Sequence, residues 1–74
     1  MPIDDIRSAM HQQPFQPFSV RTADGQAYYV RHPDFIATST SGRPFTVYDD
    51  AGHHILDVRL VVGISFHETP AATE

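Results

Sequence analysis

Phe15-Gln16-Pro17-Phe18-Ser19-Val20-Arg21-Thr22-Ala23-Asp24-Gly25-Gln26-Ala27-Tyr28-Tyr29-Val30 carries the strongest folding signal in the chain. Two alternating runs flank Asp24-Gly25, a strong local signal for a β-hairpin. A two-residue loop pairs Val20 with Tyr29 and Phe18 with Arg31. A three-residue loop, Ala23-Asp24-Gly25, pairs Val20 with Tyr28 and Phe18 with Val30. Only the second puts Phe18, Val20, Tyr28 and Val30 on one face, and a one-residue slip would lose that set. The expected turn is therefore type I followed by a bulge, with Gly25 at positive φ. Ser19, Arg21, Ala27 and Tyr29 then point outward. Tyr29 is the odd member, a large ring left for solvent or a partner.

Upstream, Ile3, Ile6 and Met10, with Ala9, recur at helical spacing and form a narrow stripe. A helix over residues 3–12 is expected. Pro2 suits its first turn, and Asp4 and Asp5 complement its dipole. Pro14 ends it by disfavouring the α conformation at Gln13. The tandem Gln-Pro-Phe of residues 13–18 runs extended, with Phe15 and Phe18 under the helix. Such a short helix is not stable alone and must pack on the sheet.

Downstream, Arg31-His32-Pro33-Asp34 reads as a turn and residues 35–39 as a strand. Ser41-Gly42 leads into the strand 44–49. Its register stays open: one loop length faces Phe35 and Ala37 inward with Phe45 and Val47, the other Ile36 and Thr38. Asp49-Asp50-Ala51-Gly52 forms the third turn, before a strand over 53–57. Val58-Arg59-Leu60 breaks the run, and residues 61–66 form the last strand, with Val62, Ile64 and Phe66 in one row. Gly63 marks a bend or bulge. The fold class is thus mainly β (α+β): an N-terminal helix, then five or six strands in a strongly bent antiparallel sheet or a small, partly closed barrel. Residues 1–67 form one small domain, and residues 68–74 are expected as a flexible tail.

The 74 residues contain no Cys, so no disulfide or thiolate metal site staples the core. A chain this short buries only about 60% of its unfolded surface, and self-association is the expected source of added stability. The formal charge is −4, from nine acidic and five basic residues, all of the latter Arg. That balance works against general nucleic-acid binding, which relies on a basic footprint. No apolar run reaches the ~18 residues of a membrane span. The first residues lack the basic and apolar regions of a signal peptide, and a cytoplasmic location is expected.

No catalytic signature emerges, and no cofactor is expected. His53 and His54 are adjacent, so in a strand they face opposite ways and do not share an ion. Asp49-Asp50 before Ala-Gly is turn chemistry before it is acid–base chemistry. Ser39-Thr40-Ser41-Gly42-Arg43 lacks the strand-to-helix setting of a phosphate loop. No Cys and no placed Ser–His pair offers a nucleophile. The aromatic side chains exceed what one small core holds, which leaves rings for a protein interface or base stacking.

The order of helix, Phe18–Gly25 hairpin and Ile55-Leu56-Asp57-Val58-Arg59-Leu60-Val61-Val62-Gly63-Ile64 resembles the Sm-like proteins, including the bacterial Hfq family. In that family a first hairpin closed at Asn/Asp-Gly and a last strand pair split by a short turn frame the barrel. The resemblance implies a small barrel and an RNA contact at Arg59. The chain is also similar to short bacterial proteins sharing its Gln-Pro-Phe, His-Pro-Asp-Phe, Ser-Gly-Arg and Val-Tyr-Asp-Asp landmarks. Two functions follow as expectations. The first is a non-enzymatic module that assembles with itself or another protein through Tyr29, Tyr48 and strand edges. The alternative is single-stranded nucleic-acid binding through Arg21, Arg31, Arg59 and Tyr29.

Overall fold

The computed structural model describes residues 2–67. Helix α1 spans Ile3–Met10, followed by β1 (Phe18–Thr22), β2 (Ala27–Val30), β3 (Ile36–Thr38), β4 (Pro44–Asp49), β5 (Gly52–Asp57) and β6 (Val61–Phe66). Short 3-10 turns at Pro33–Phe35 and Val58–Leu60 separate β2 from β3 and β5 from β6. The expected tail over 68–74 lies outside the described residues.

The six strands do not form one continuous sheet or a closed barrel. They form two antiparallel sheets of three strands, ordered β2-β1-β6 and β3-β4-β5. The first hairpin has the expected register: Val20 opposes Tyr28 and Phe18 opposes Val30. Its turn closes with Gly25 N–H donating to Thr22 C=O at 3.0 Å and Thr22 N–H to Gln26 C=O at 3.0 Å. Gly25 has φ +86°, the left-handed conformation that lets the chain reverse with a three-residue loop. The Asp24 carboxylate accepts from the Thr22 hydroxyl and the Gln26 backbone N–H. These bonds, the Thr22 one foremost, lower its pKa.

The second hairpin takes the register with Ile36 opposite Val47 and Thr38 opposite Phe45. Ile36, Phe45 and Val47 are buried, while Phe35 sits in the preceding 3-10 turn and Ala37 is exposed. His32 sets that turn by accepting Asp34 N–H on Nδ1 at 3.1 Å. Phe18, Val20, Val30, Ile36, Phe45 and Val47 then meet Ile6, Ala9, Val58 and Val61 in one core between the sheets. Full burial of side chains such as Phe18 and Phe45 contributes about 1.5–3 kcal/mol each.

Helix α1 ends at Met10, short of the expected residue 12. The Gln12 side-chain amide explains the early stop, donating to Ala9 C=O at 2.7 Å and Gln16 C=O at 3.1 Å. It thereby satisfies a carbonyl that a longer helix would have used. The helix lies across one end of the gap between the sheets. Arg7 Nη2 ties it to Ser39 C=O at 2.8 Å, and its other flank lines an open groove together with Ile64 and Phe66 of β6.

The expected row of Val62, Ile64 and Phe66 is broken. A bulge opposite Arg21–Thr22 pairs Gly63 with Arg21 but Val61 with Thr22, leaving Val62 as the extra residue. Val61 turns into the core, Ile64 is half-buried, and Val62 and Phe66 are exposed.

Candidate functional site

Three surfaces concentrate the residues singled out by sequence. The first is a cleft of about 310 Å³ between β2 and the β4–β5 turn, lined by Tyr28, Tyr29, Arg31, Phe35, Tyr48 and Asp50 among others. Tyr29, Arg31 and Tyr48 thus meet, although 19 positions separate the first and last (48 minus 29). Tyr29 and Tyr48 are 50% and 44% exposed. The Arg31 guanidinium lies 4.5 Å over the Phe35 ring, and its Nη2 is 3.6 Å from Asp50 Oδ1. Its charge is therefore satisfied within the chain. His54 Nε2 is 2.8 Å from Asp49 Oδ2, and this contact, foremost among several, lowers the Asp49 pKa. His53 and His54 take opposite faces, against Tyr48 and Tyr28 respectively, with ring centroids 5.9 Å and 5.1 Å apart.

The second surface follows β5, its 3-10 turn and β6. Each of these strands has a partner on one side only. Ile55, Leu60, Val62 and Phe66 are 70%, 54%, 59% and 51% exposed along this line. With Tyr29 and Tyr48 they complete the exposed large hydrophobic side chains of the described residues. Arg59 stands in the 3-10 turn, away from the cleft. It grips Asp57 with Nε to Oδ1 at 3.1 Å and Nη2 to Oδ2 at 3.0 Å, while its backbone N–H donates to Oδ1 at 2.8 Å. The side-chain bonds and then the backbone bond hold the Asp57 pKa down to about 2, and Asp57 raises that of Arg59.

The third surface is the outer face of the β2-β1-β6 sheet. Ser19 opposes Tyr29 on one side and Ser65 on the other. Ser19 Oγ lies 2.8 Å from His67 Nε2, and the Tyr29 and His67 rings meet edge-on at 5.6 Å. Arg21 lies on the same face, its Nε donating to Ser65 Oγ at 3.0 Å. Sequence reasoning found no placed Ser–His pair; the β1–β6 pairing makes one across 48 positions. Its only signal in the chain was the alternation of Ser65 on the last strand with His67 just beyond it.

Among the described residues no three His, Asp or Glu side chains gather as a metal set. No described helix is long and apolar enough to cross a membrane. No family model matches the chain, and neither a curated protein nor a solved structure does.

Proposed function

We propose that this protein is a non-enzymatic β-rich module, Sm-like in strand order, that assembles with copies of itself. The observation that carries the reading is the set of exposed apolar side chains Ile55, Leu60, Val62 and Phe66 on two strands with unpaired outer edges and the turn between them. Exposed, apolar strand edges recruit further strands unless charge or proline blocks them. Here β6 holds no charged residue or Pro, and the one carboxylate of β5, Asp57 at its end, is engaged by Arg59. In a chain this small, joining those edges adds core that one copy lacks. The helix followed by two three-stranded sheets, with a 3-10 turn before the last strand and that strand paired with β1, supports the Sm-like comparison.

Sedimentation velocity across a range of micromolar concentrations tests the proposal. An assembled species at the low end supports it. A mass near the 8.3 kDa of one chain at every concentration overturns it. Nucleic-acid binding, the alternative, draws on Arg21 and Tyr29 rather than on all four named residues, because Arg31 and Arg59 already face Asp50 and Asp57. A salt-dependent shift of a single-stranded oligonucleotide supports that alternative, and no binding at low salt removes it.

A further inference from the structure

The outer face of the β2-β1-β6 sheet differs from the rest of this acidic chain. Its outward strand positions are Ser19 and Arg21 on β1, Ala27 and Tyr29 on β2, and Gly63 and Ser65 on β6, with His67 following. None is a carboxylate. Seven Asp stand among the described residues, yet no ion pair within that set reaches Arg21. Arg7, Arg31 and Arg59 each sit within 4 Å of an Asp, whereas Arg43, like Arg21, has no such pair among the described residues. Arg21 instead rests on a neutral hydroxyl, Ser65 Oγ.

The guanidinium is also held in place rather than left free. Its terminal nitrogen sits against Gly63, where an added Cβ would land on that nitrogen and crowd the central carbon. Gly63 has no positive φ, so its missing side chain is needed here for space and not for backbone conformation. One N–H of Arg21 is used on Ser65, and four of the five donors of a guanidinium remain. Next to it stand Ser65 Oγ and its cross-strand partner Ser19 Oγ. His67 is fixed by its ring contact to Ser19 and by its backbone N–H to Pro17 C=O at 2.8 Å.

We infer that Ser19, Arg21, Ser65 and His67 form a phosphate-binding site, with Tyr29 placed to stack a base beside it. A guanidinium with four donors left, two hydroxyls and an imidazole match the acceptor-rich oxygens of a phosphate ester. Tyr29 sits diagonally from Arg21, about 7–8 Å away between Cα positions, a spacing that fits a nucleotide's phosphate and base on adjacent strands. The ligand class is a nucleotide monophosphate unit, free or within a strand. The site does not depend on self-assembly.

Amide chemical shifts of the full chain, followed while adding sodium phosphate against sodium chloride at equal ionic strength, test the site. The expected result is saturable shifts centred on Ser19, Arg21, Ser65 and His67. Adenosine 5′-monophosphate binds about tenfold more tightly than phosphate if Tyr29 stacks the base. Arg21→Gln weakens phosphate binding about tenfold or more. Gly63→Ala also weakens it, without any change of charge, by displacing the guanidinium. Arg43→Gln leaves it unaltered. Shifts that do not saturate, that match those of chloride, or that centre elsewhere overturn the assignment, and the wild-type titration decides this even if a variant fails to fold. Saturable phosphate binding with no oligonucleotide binding upholds the site and places its ligand among free nucleotides.

Discussion

Replacing Ile55 by Lys on β5 separates the assembly from the fold. Ile55 is 70% exposed in one copy, so Ile55→Lys leaves the stability of a single copy within about 0.5 kcal/mol. Burying the exposed part at an interface contributes about 70% of the 1.5–3 kcal/mol of a fully buried Ile, or about 1–2 kcal/mol. If β5 of one copy meets β6 of the next, each interface holds Ile55 once. The dissociation constant then rises about tenfold or somewhat more. If two β5 edges meet around a two-fold axis, each interface holds it twice, and the rise is about a hundredfold or more. Val62→Lys on β6 separates the two arrangements again, since it weakens the head-to-tail contact and spares the two-fold one. Sedimentation velocity at several concentrations reads the association, and urea unfolding of a dilute sample reads the fold. Lys variants that both assemble as tightly as the parent would refute the edge-pairing argument. So would an Ile55→Lys chain that no longer folds when dilute.

Gly25→Ala destabilises by about 1–2 kcal/mol, purely through its φ of +86°, because nothing lies within 4 Å of the added Cβ. Thermal unfolding should show a drop of several degrees, about 4–8 °C per kcal/mol in a domain of this size, and a neutral result would contradict the turn. Phe45→Ala removes a ring that is 1% exposed and costs about 3–5 kcal/mol, enough to leave much of a marginal domain unfolded by circular dichroism. Asp57, with its pKa near 2, stabilises the fold fully above the usual 3.8, and this contribution is lost as pH falls between those values. Asp57→Asn should therefore flatten the acid side of the stability curve measured by urea midpoints from pH 5 down to pH 2. A curve as steep as the parent's would mean that Asp24 and Asp49, also lowered, carry the acid sensitivity instead. Tyr29→Ala should leave urea stability near that of the parent while reducing nucleotide affinity in the titration above, since Tyr29 is half exposed. A loss of folding would place Tyr29 in the core.

Much of the framework was legible because its signals are local. Gly25 allows the left-handed turn, and the alternation around it leaves one register that buries Phe18, Val20 and Val30 together. The break at Val58–Leu60 was legible from the length of the apolar run, and Asp57 seals it by accepting Arg59 N–H. The second hairpin was not legible in the same way, since either parity offers apolar residues to the core. Burial of Ile36 in place of Phe35 is settled by the 3-10 turn that His32 starts. Val62 was misplaced because a bulge depends on the partner strand, and the partner is β1, some 40 positions away. Helix α1 stopped early for a side-chain reason, the Gln12 amide, that periodicity does not carry.

The candidate surfaces divide along the same line. Tyr29 and Tyr48 stood out as rings that a core of this size cannot hold, and both are exposed. Their meeting with Arg31 in one cleft required the two sheets to pack, and so did the pairing of Arg31 with Asp50 that satisfies its charge. Ser19 and His67 share no motif and come within 2.8 Å only because β6 returns beside β1. Sequence alone determined the turns, the alternation and the surplus of apolar side chains, since each follows from a residue and its near neighbours. Tertiary structure alone decided which strands end as free edges, which arginines pair with an acid and which hydroxyl faces Arg21, since each depends on strands brought together across the chain.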